Sequence, residues 1–251
     1  METSPQQKRS ELPIEQQANF EGSWTNLMIE RLRNPDVQNQ MINLLLADDE
    51  YSKSESEETV NKFRRMFIGV GQNTEILKRK TSRELENEIN ERINLVSNDT
   101  PISFDKNERP HADPCGREIM PADWIMDGWK PTVLIKNIVE SHEKGHVIRP
   151  WTSTYLHLKF RSVLDLETQR KYGNEHFGYI ASPKEIVERM VQLKNYFGMA
   201  QNEKFTKEHL LYAREHYIID TRLNNNMSQF FEAITPEKED AFIELINSAG
   251  I

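Results

Sequence analysis

The sequence predicts a mainly α-helical protein built as a multi-helix domain, with an α+β fold as the alternative. Three observations lead to this prediction. Apolar residues recur every three or four positions along much of the chain, residues typical of helix starts precede these stretches, and the alternation expected of strands is scarce. At 251 residues the chain is long enough for one sizeable core, or for one domain with a helical annex.

The composition and charge of the chain argue against several kinds of binding partner and cellular location. The chain carries 40 acidic against 32 basic residues, so no overall positive field attracts nucleic acid or anionic lipid. Cys115 is the only cysteine, which excludes an intrachain disulfide and favours a reducing compartment. No apolar stretch approaches the roughly 20 residues of a membrane span, and the first residues lack the apolar core of a signal peptide. We therefore predict a cytoplasmic protein that binds neither nucleic acid nor membranes.

The chain begins with a predicted flexible tail, residues 1–19, which is polar and has no periodic apolar face. A helical N-terminal region, residues 20–99, follows. Apolar spacing starts there at Trp24 and is interrupted near Pro35, because proline disfavours helical geometry in the residue before it. The first part of this region is therefore expected to form two helices.

Two more helices are predicted before residue 100. One helical pattern runs from Thr59 to Gly71, where glycine offers a stop. In the next, Thr81 and Glu84 have the spacing of a capping box, in which each side chain satisfies a backbone N–H of the other residue. Four apolar residues behind this box share one helix face: Leu85, Ile89, Ile93 and Val96.

A second helical domain is predicted for residues 100–251. Its first part, residues 100–131, holds five prolines and is expected to be a long irregular connection. A helix then fits between Pro131 and Pro150. Later helices are expected to start at three capping residues: Ser182, Thr206 and Thr235.

The helix between the two prolines carries the chemistry of interest, the sequence His-Glu-Lys-Gly-His. His142 and His146 continue the apolar stripe begun by Ile135, and side chains four residues apart on a helix are neighbours. Two imidazoles can thus take adjacent corners of one tetrahedral zinc site. Glu143 lies about 100° round the helix from His142, so its carboxylate could reach a zinc-bound water without occupying a ligand corner. The alternative is a pair of histidines with ordinary structural partners.

This segment resembles the active-site helix of the zincin metallopeptidases. The resemblance implies that His142 and His146 bind zinc and that Glu143 is the general acid and base of a peptidase acting on a protein or peptide substrate. It also implies that residues 100–251 form a zincin-like domain. The chain departs from the usual zincin pattern by carrying charges at Glu140 and Lys144, which can be solvated if the helix is exposed on that side.

Glu185 is the predicted third zinc ligand, because zincins with a glutamate ligand take it from a later helix. Arg189, one turn further, would orient the carboxylate. The competing interpretation makes Glu185 part of a capping box with Ser182 and a surface pair with Arg189. His157 and His176 are the next candidate ligands.

The arrangement of Glu185 and Arg189 also resembles that in peptidases encoded by phages and large DNA viruses, which implies viral structural proteins as partners and incorporation into a virion. The alternative to a peptidase is a protein of a different functional class. It is a structural or scaffold protein, for instance of a viral particle, whose helix keeps the motif without catalytic turnover. His209 and His216, seven residues apart, are expected to be packing or surface residues.

Cys115 lies upstream of the zinc helix in a segment that also contains His111. Its thiolate could occupy the open zinc position, in resemblance to the cysteine switch of some metalloproteases. A lone cysteine is more often a small buried apolar residue.

Overall fold

The structure of the protein is a computed structural model. It describes residues 11–54, 81–97, 102–103, 111–112, 118–119, 133–149, 159–160, 162–165, 182–201, 203–224 and 227–251. The predicted helix from Thr59 to Gly71 lies outside the described residues, as do Cys115, His157 and His176.

The protein is mainly helical, which confirms the predicted fold class. The helices are α1 (Ile14–Gln17), α2 (Trp24–Leu32), α3 (Pro35–Ser54), α4 (Ser82–Ser97), α5 (Val133–Ile148), α6 (Pro183–Tyr196), α7 (Lys207–Thr221), α8 (Met227–Ala233) and α9 (Glu239–Ser248), with a 3-10 turn at Pro236–Lys238. The strands are β1 (Ile102–Ser103), β2 (His111–Ala112) and β3 (Glu118–Ile119). They form a small sheet in the order β1-β3-β2, in which β3 runs parallel to β1 and antiparallel to β2.

Local capping chemistry sets the helix starts that the sequence predicts. The Asn34 side chain accepts a hydrogen bond from the Asp36 backbone N–H at 2.8 Å, so α3 begins directly after the break that ends α2. At the start of α4, the Thr81 N–H donates to Glu84 at 2.7 Å and the Glu84 N–H donates to Thr81 at 3.3 Å. The capping box is thus confirmed, and the predicted stripe of α4 is buried.

The predicted tail is wrong for residues 11–19. Residues Ile14–Gln17 form α1, which packs against α7. The Gln17 side chain is buried and donates to the Leu12 carbonyl oxygen at 2.6 Å, while its Oε1 lies 3.2 Å from Nε2 of His209. Hydrogen bonds to a helix that is far away in sequence therefore stabilise α1, although the polar sequence of this segment does not predict a helix. Residues 1–10 lie outside the described residues.

Helix α5 occupies the centre of the packing and contacts α2, α4 and α6. One buried apolar cluster draws on α2, α4, α5 and α6 together, with Trp24, Ile89, Ile138 and Met190 all fully inaccessible. The predicted boundary between residues 99 and 100 therefore separates two stretches of sequence that share a core. Within the described residues, no helix is long and apolar enough to cross a membrane.

The apolar stripe predicted for α5 is buried, but so is most of the rest of this helix. Lys144 is 6% exposed and lies 2.5 Å from the carboxylate of Glu140, one turn earlier. The helix is therefore not exposed at Lys144, and the two charges that depart from the zincin pattern neutralise each other. Lys144 can then be buried without an unpaired charge.

Candidate metal centre

His142 and His146 meet on the face of α5 that points toward α6. Their rings lie edge to face with centroids 4.7 Å apart, and their Nε2 atoms are separated by 3.1 Å. His142 is 3% exposed, and the side chain of His146 is 16% exposed. The predicted pairing of the two imidazoles is therefore present in the folded chain.

Glu185 completes the group from the first turn of α6. Its Oε2 lies 3.3 Å from Nε2 of His142, and its Oε1 lies 3.2 Å from Nε2 of His146. Ser182 occupies the N-cap of α6 but makes no capping hydrogen bond through its side chain. The Glu185 carboxylate therefore faces the histidines and does not form the alternative capping box. We call His142, His146 and Glu185 the three-ligand cluster.

The separations within the three-ligand cluster fit a single metal ion. With metal–ligand bonds of about 2.0–2.2 Å, two corners of a tetrahedral zinc site lie about 3.3–3.5 Å apart. The three measured separations, 3.1 to 3.3 Å, are within a few tenths of an ångström of that value. The buried Oε2 of Glu185 has only long contacts, to Nε2 of His142 at 3.3 Å and to Nη2 of Arg189 at 3.7 Å. The donors present, two imidazole nitrogens and a carboxylate, are a set that zinc accepts.

Electrostatics keeps the Glu185 carboxylate ionised without a metal. Burial raises its pKa, but hydrogen bonds and charges from His142 and His146 outweigh burial and hold the pKa far below its ordinary range. Burial lowers the pKa of His142, and the neighbouring carboxylate of Glu185 more than compensates, so that this pKa is raised above 6.5. A proton on His142 would therefore compete with a cation for this site.

Glu143 lies next to the three-ligand cluster but is not one of its members. The residue is 6% exposed, and its charge contributes to the raised pKa of His142. In the described part of the chain, the only group of three or more histidine, cysteine, aspartate or glutamate residues with converging donor atoms is the three-ligand cluster. No fourth histidine, cysteine, aspartate or glutamate of the described part of the chain joins this group.

Arg189 lies where the sequence predicts an orienting partner. It is fully buried on α6, and its Nη2 is 3.7 Å from Oε2 of Glu185. This separation is an ion-pair distance, longer than a hydrogen bond. The main effect of Arg189 is therefore to balance the negative charge of Glu185, and it does little to fix the orientation of that carboxylate.

A second buried contact between α5 and α6 was not predicted. Arg149 donates to Glu188 through two parallel hydrogen bonds, Nε to Oε1 at 2.8 Å and Nη2 to Oε2 at 2.6 Å. Gly145 makes room for it, because a Cβ atom there would lie 1.9 Å from Oε2 of Glu188. The group that lies close to Gly145 is this carboxylate. We call the contact the Arg149–Glu188 pair.

Gln192 is the other residue that sequence reasoning missed. Its Nε2 lies 3.1 Å from Nδ1 of His142, the ring nitrogen that faces away from the cluster. One signal was available, because Gln192 follows Glu185 by seven residues and shares its helix face. The remaining histidines have other roles: His209 caps α7 through Thr206, and His216 stacks on Tyr212.

No family model, curated protein or solved structure matches this chain. The interpretation of the centre therefore depends on its own geometry and on the short zincin-like segment. The zincin resemblance stays a prediction.

Proposed function

We propose that this protein is a zinc-dependent peptidase. The observation that carries the proposal is the convergence of His142, His146 and Glu185 at separations of 3.1 to 3.3 Å, next to the buried Glu143. Glutamate directly after the first histidine is the arrangement that a metallopeptidase uses. The supporting geometry concerns metal binding, and the peptidase activity is inferred from the position of Glu143 in the motif.

His142, His146 and Glu185 would hold the zinc ion. When bound, zinc would supply a Lewis acid for the scissile carbonyl and make a water molecule acidic near neutral pH. Glu143 would accept the proton of the attacking water on its carboxylate. The same oxygen would then return the proton to the nitrogen of the leaving amine.

A structural or scaffold protein is the second candidate, and the burial of the centre favours it. His142, Glu143 and Glu185 are each at most 6% exposed, so His146 is the most exposed member of the centre. A site closed to substrate would hold a metal only to stabilise the fold. The predicted viral structural partners, and a location in the cytoplasm or in a virion, belong to either candidate.

Metal analysis of the purified chain tests the site. We expect about one zinc ion per wild-type chain, with the loss of most of it in His142→Ala because two ligands bind zinc less tightly than three. His216→Ala is the matched control, since this histidine stacks on Tyr212 outside the cluster and should leave zinc content unchanged. Equal zinc in wild type and His142→Ala would refute the metal centre.

The substitution Glu143→Gln separates the two candidate functions. The variant keeps the size of the side chain and removes its ability to take a proton, so zinc should be retained while cleavage of a labelled unfolded protein is lost. Zinc-loaded wild type with no cleavage of such a substrate, or a Glu143→Gln variant that cleaves as fast as wild type, would leave the scaffold as the better interpretation.

A further inference from the structure

We propose that Gln192 positions His142 for metal binding: its side-chain Oε1 accepts a hydrogen bond from Nδ1–H of the ring, so that Nε2 presents a lone pair to the metal. The inference depends on the proposed metal centre and extends it by one residue. It does not depend on peptidase activity.

The contact is buried and specific. Gln192 is 1% exposed, and its amide nitrogen lies 3.1 Å from Nδ1 of His142. Its Oε1 is buried and has no hydrogen-bond partner among the described residues. A buried amide oxygen without a partner is costly, so this amide has a reason to turn when its surroundings change.

The chemistry of the ring decides which end of the amide can face it. An amide –NH₂ group only donates, so it can face Nδ1 only if Nδ1 carries no proton. The neutral His142 ring then carries its proton on Nε2, the nitrogen that points into the three-ligand cluster. In that state the lone pair needed by a metal is absent.

Turning the Gln192 amide by 180° brings Oε1 to the ring. Oε1 then accepts from Nδ1–H, and Nε2 is left with its lone pair. Each orientation makes one hydrogen bond to His142, so the choice between them follows the position of the ring proton. Metal binding and the orientation of a buried amide are thereby coupled, as expected for a residue directly behind a histidine ligand.

The test compares zinc affinities, measured by competition with a chelator, in variants of this one position. Gln192→Leu removes the acceptor and should weaken zinc binding by about 10- to 100-fold. Gln192→Glu keeps an acceptor and should bind zinc at least as tightly as wild type. Gln38→Leu is the matched control: Gln38 is buried on α3 and donates to the Leu32 carbonyl oxygen at 2.8 Å and to the Asn90 side chain at 3.0 Å. Its loss should reduce stability without changing zinc affinity.

The protonation state of the ring gives a second measurement, on the wild-type chain itself. In the zinc-loaded protein, nitrogen NMR should show His142 protonated at Nδ1 and coordinated through Nε2. Two results would overturn the proposal and leave the metal centre intact. One is coordination of zinc through Nδ1. The other is a loss of zinc affinity in Gln192→Leu that is no larger than the loss in Gln38→Leu. A wild-type chain that binds no zinc overturns both, whereas zinc binding that depends on Gln192 without any proteolysis overturns only the peptidase.

Discussion

Helices α5 and α6 meet through two buried polar clusters that differ in the groups that contact the carboxylate of α6. In the Arg149–Glu188 pair a guanidinium and a carboxylate join through hydrogen bonds of 2.6 and 2.8 Å. The three-ligand cluster brings together two imidazoles and a carboxylate at 3.1 to 3.3 Å. The first set of distances is typical of charge-assisted hydrogen bonds, and the second is close to the spacing of ligands round an ion.

The contrast separates a structural role from a binding role. In the Arg149–Glu188 pair the charges compensate each other inside the protein, so the pair can hold the helices in register without any ligand. The three-ligand cluster contains an ionised carboxylate that faces two imidazoles, while the guanidinium of Arg189 lies 3.7 Å away, beyond hydrogen-bond distance. We infer that the pair fixes the helix packing and that the cluster uses this packing to hold an external cation.

The largest expected effect is stabilisation of the chain by zinc. At free zinc about a thousand times the dissociation constant, binding to the folded state alone adds about 4 kcal/mol to the free energy of unfolding. Thermal unfolding with and without a chelator measures this gain. It should vanish in His146→Ala and persist in Glu188→Gln. Stabilisation that persists in His146→Ala would mean that zinc binds elsewhere.

The next effect concerns the pair alone. Glu188→Gln leaves a buried guanidinium without its counter-charge, and we expect a loss of about 3 kcal/mol in the free energy of unfolding. Glu88→Gln on α4 is the control, because the side chains of Glu88 and Arg92 are 20% and 29% exposed and their ion pair is worth less than about 1 kcal/mol. Denaturant unfolding measures both. Equal losses in the two variants would contradict a structural role for the Arg149–Glu188 pair.

Gly145→Ala tests the space that the pair requires. Alanine alone favours a helix by about 1 kcal/mol over glycine, but its Cβ would overlap the Glu188 carboxylate. We expect a net loss of about 2 kcal/mol in the free energy of unfolding. In a Glu188→Ala background the same change should cost nothing or stabilise, since the obstructing carboxylate is gone. Denaturant unfolding of the four chains of this cycle gives the coupling directly.

The smallest effect is the pH dependence of the cluster. Because the pKa of His142 is raised above 6.5 in the metal-free fold, its proton stabilises that fold below pH 6.5, and this contribution is lost as pH rises through the raised value. Zinc must displace this proton, so zinc affinity should fall about tenfold per pH unit below the same pKa. Chelator competition at several pH values measures the slope. Affinity that does not change with pH down to 6 would contradict His142 as a ligand.

The sequence predicts those features that depend on neighbouring residues. Helix starts at Asn34–Pro35 and Thr81 follow from side chains that cap the next turn, and the pairing of His142 with His146 follows from the pitch of one helix. These interactions are complete within a few residues. They form whatever the rest of the chain does, which is why the fold class and two of the three candidate ligands could be predicted.

The features that the sequence did not predict depend on how two helices that are far apart in sequence are rotated against each other in the packed structure. Glu188 and Gln192 belong to a polar face of α6 that the sequence alone would assign to solvent, and the structure buries both against α5. Their partners, Arg149 and His142, lie 39 and 50 residues away. Periodicity identifies a helix face but does not show whether water or another helix covers it. Glu185 was predicted only by resemblance, for the same reason.

Gly145 offers a way to recognise relatives of this protein. A sequence that keeps arginine four residues after this glycine, together with glutamate at the position of Glu188, has room for that carboxylate only if the glycine is kept as well. Glycine, arginine and glutamate at these positions therefore form a signature that can be searched for independently of the histidines. A chain that keeps these three residues but lacks the histidines would retain this contact between α5 and α6 without the candidate metal centre.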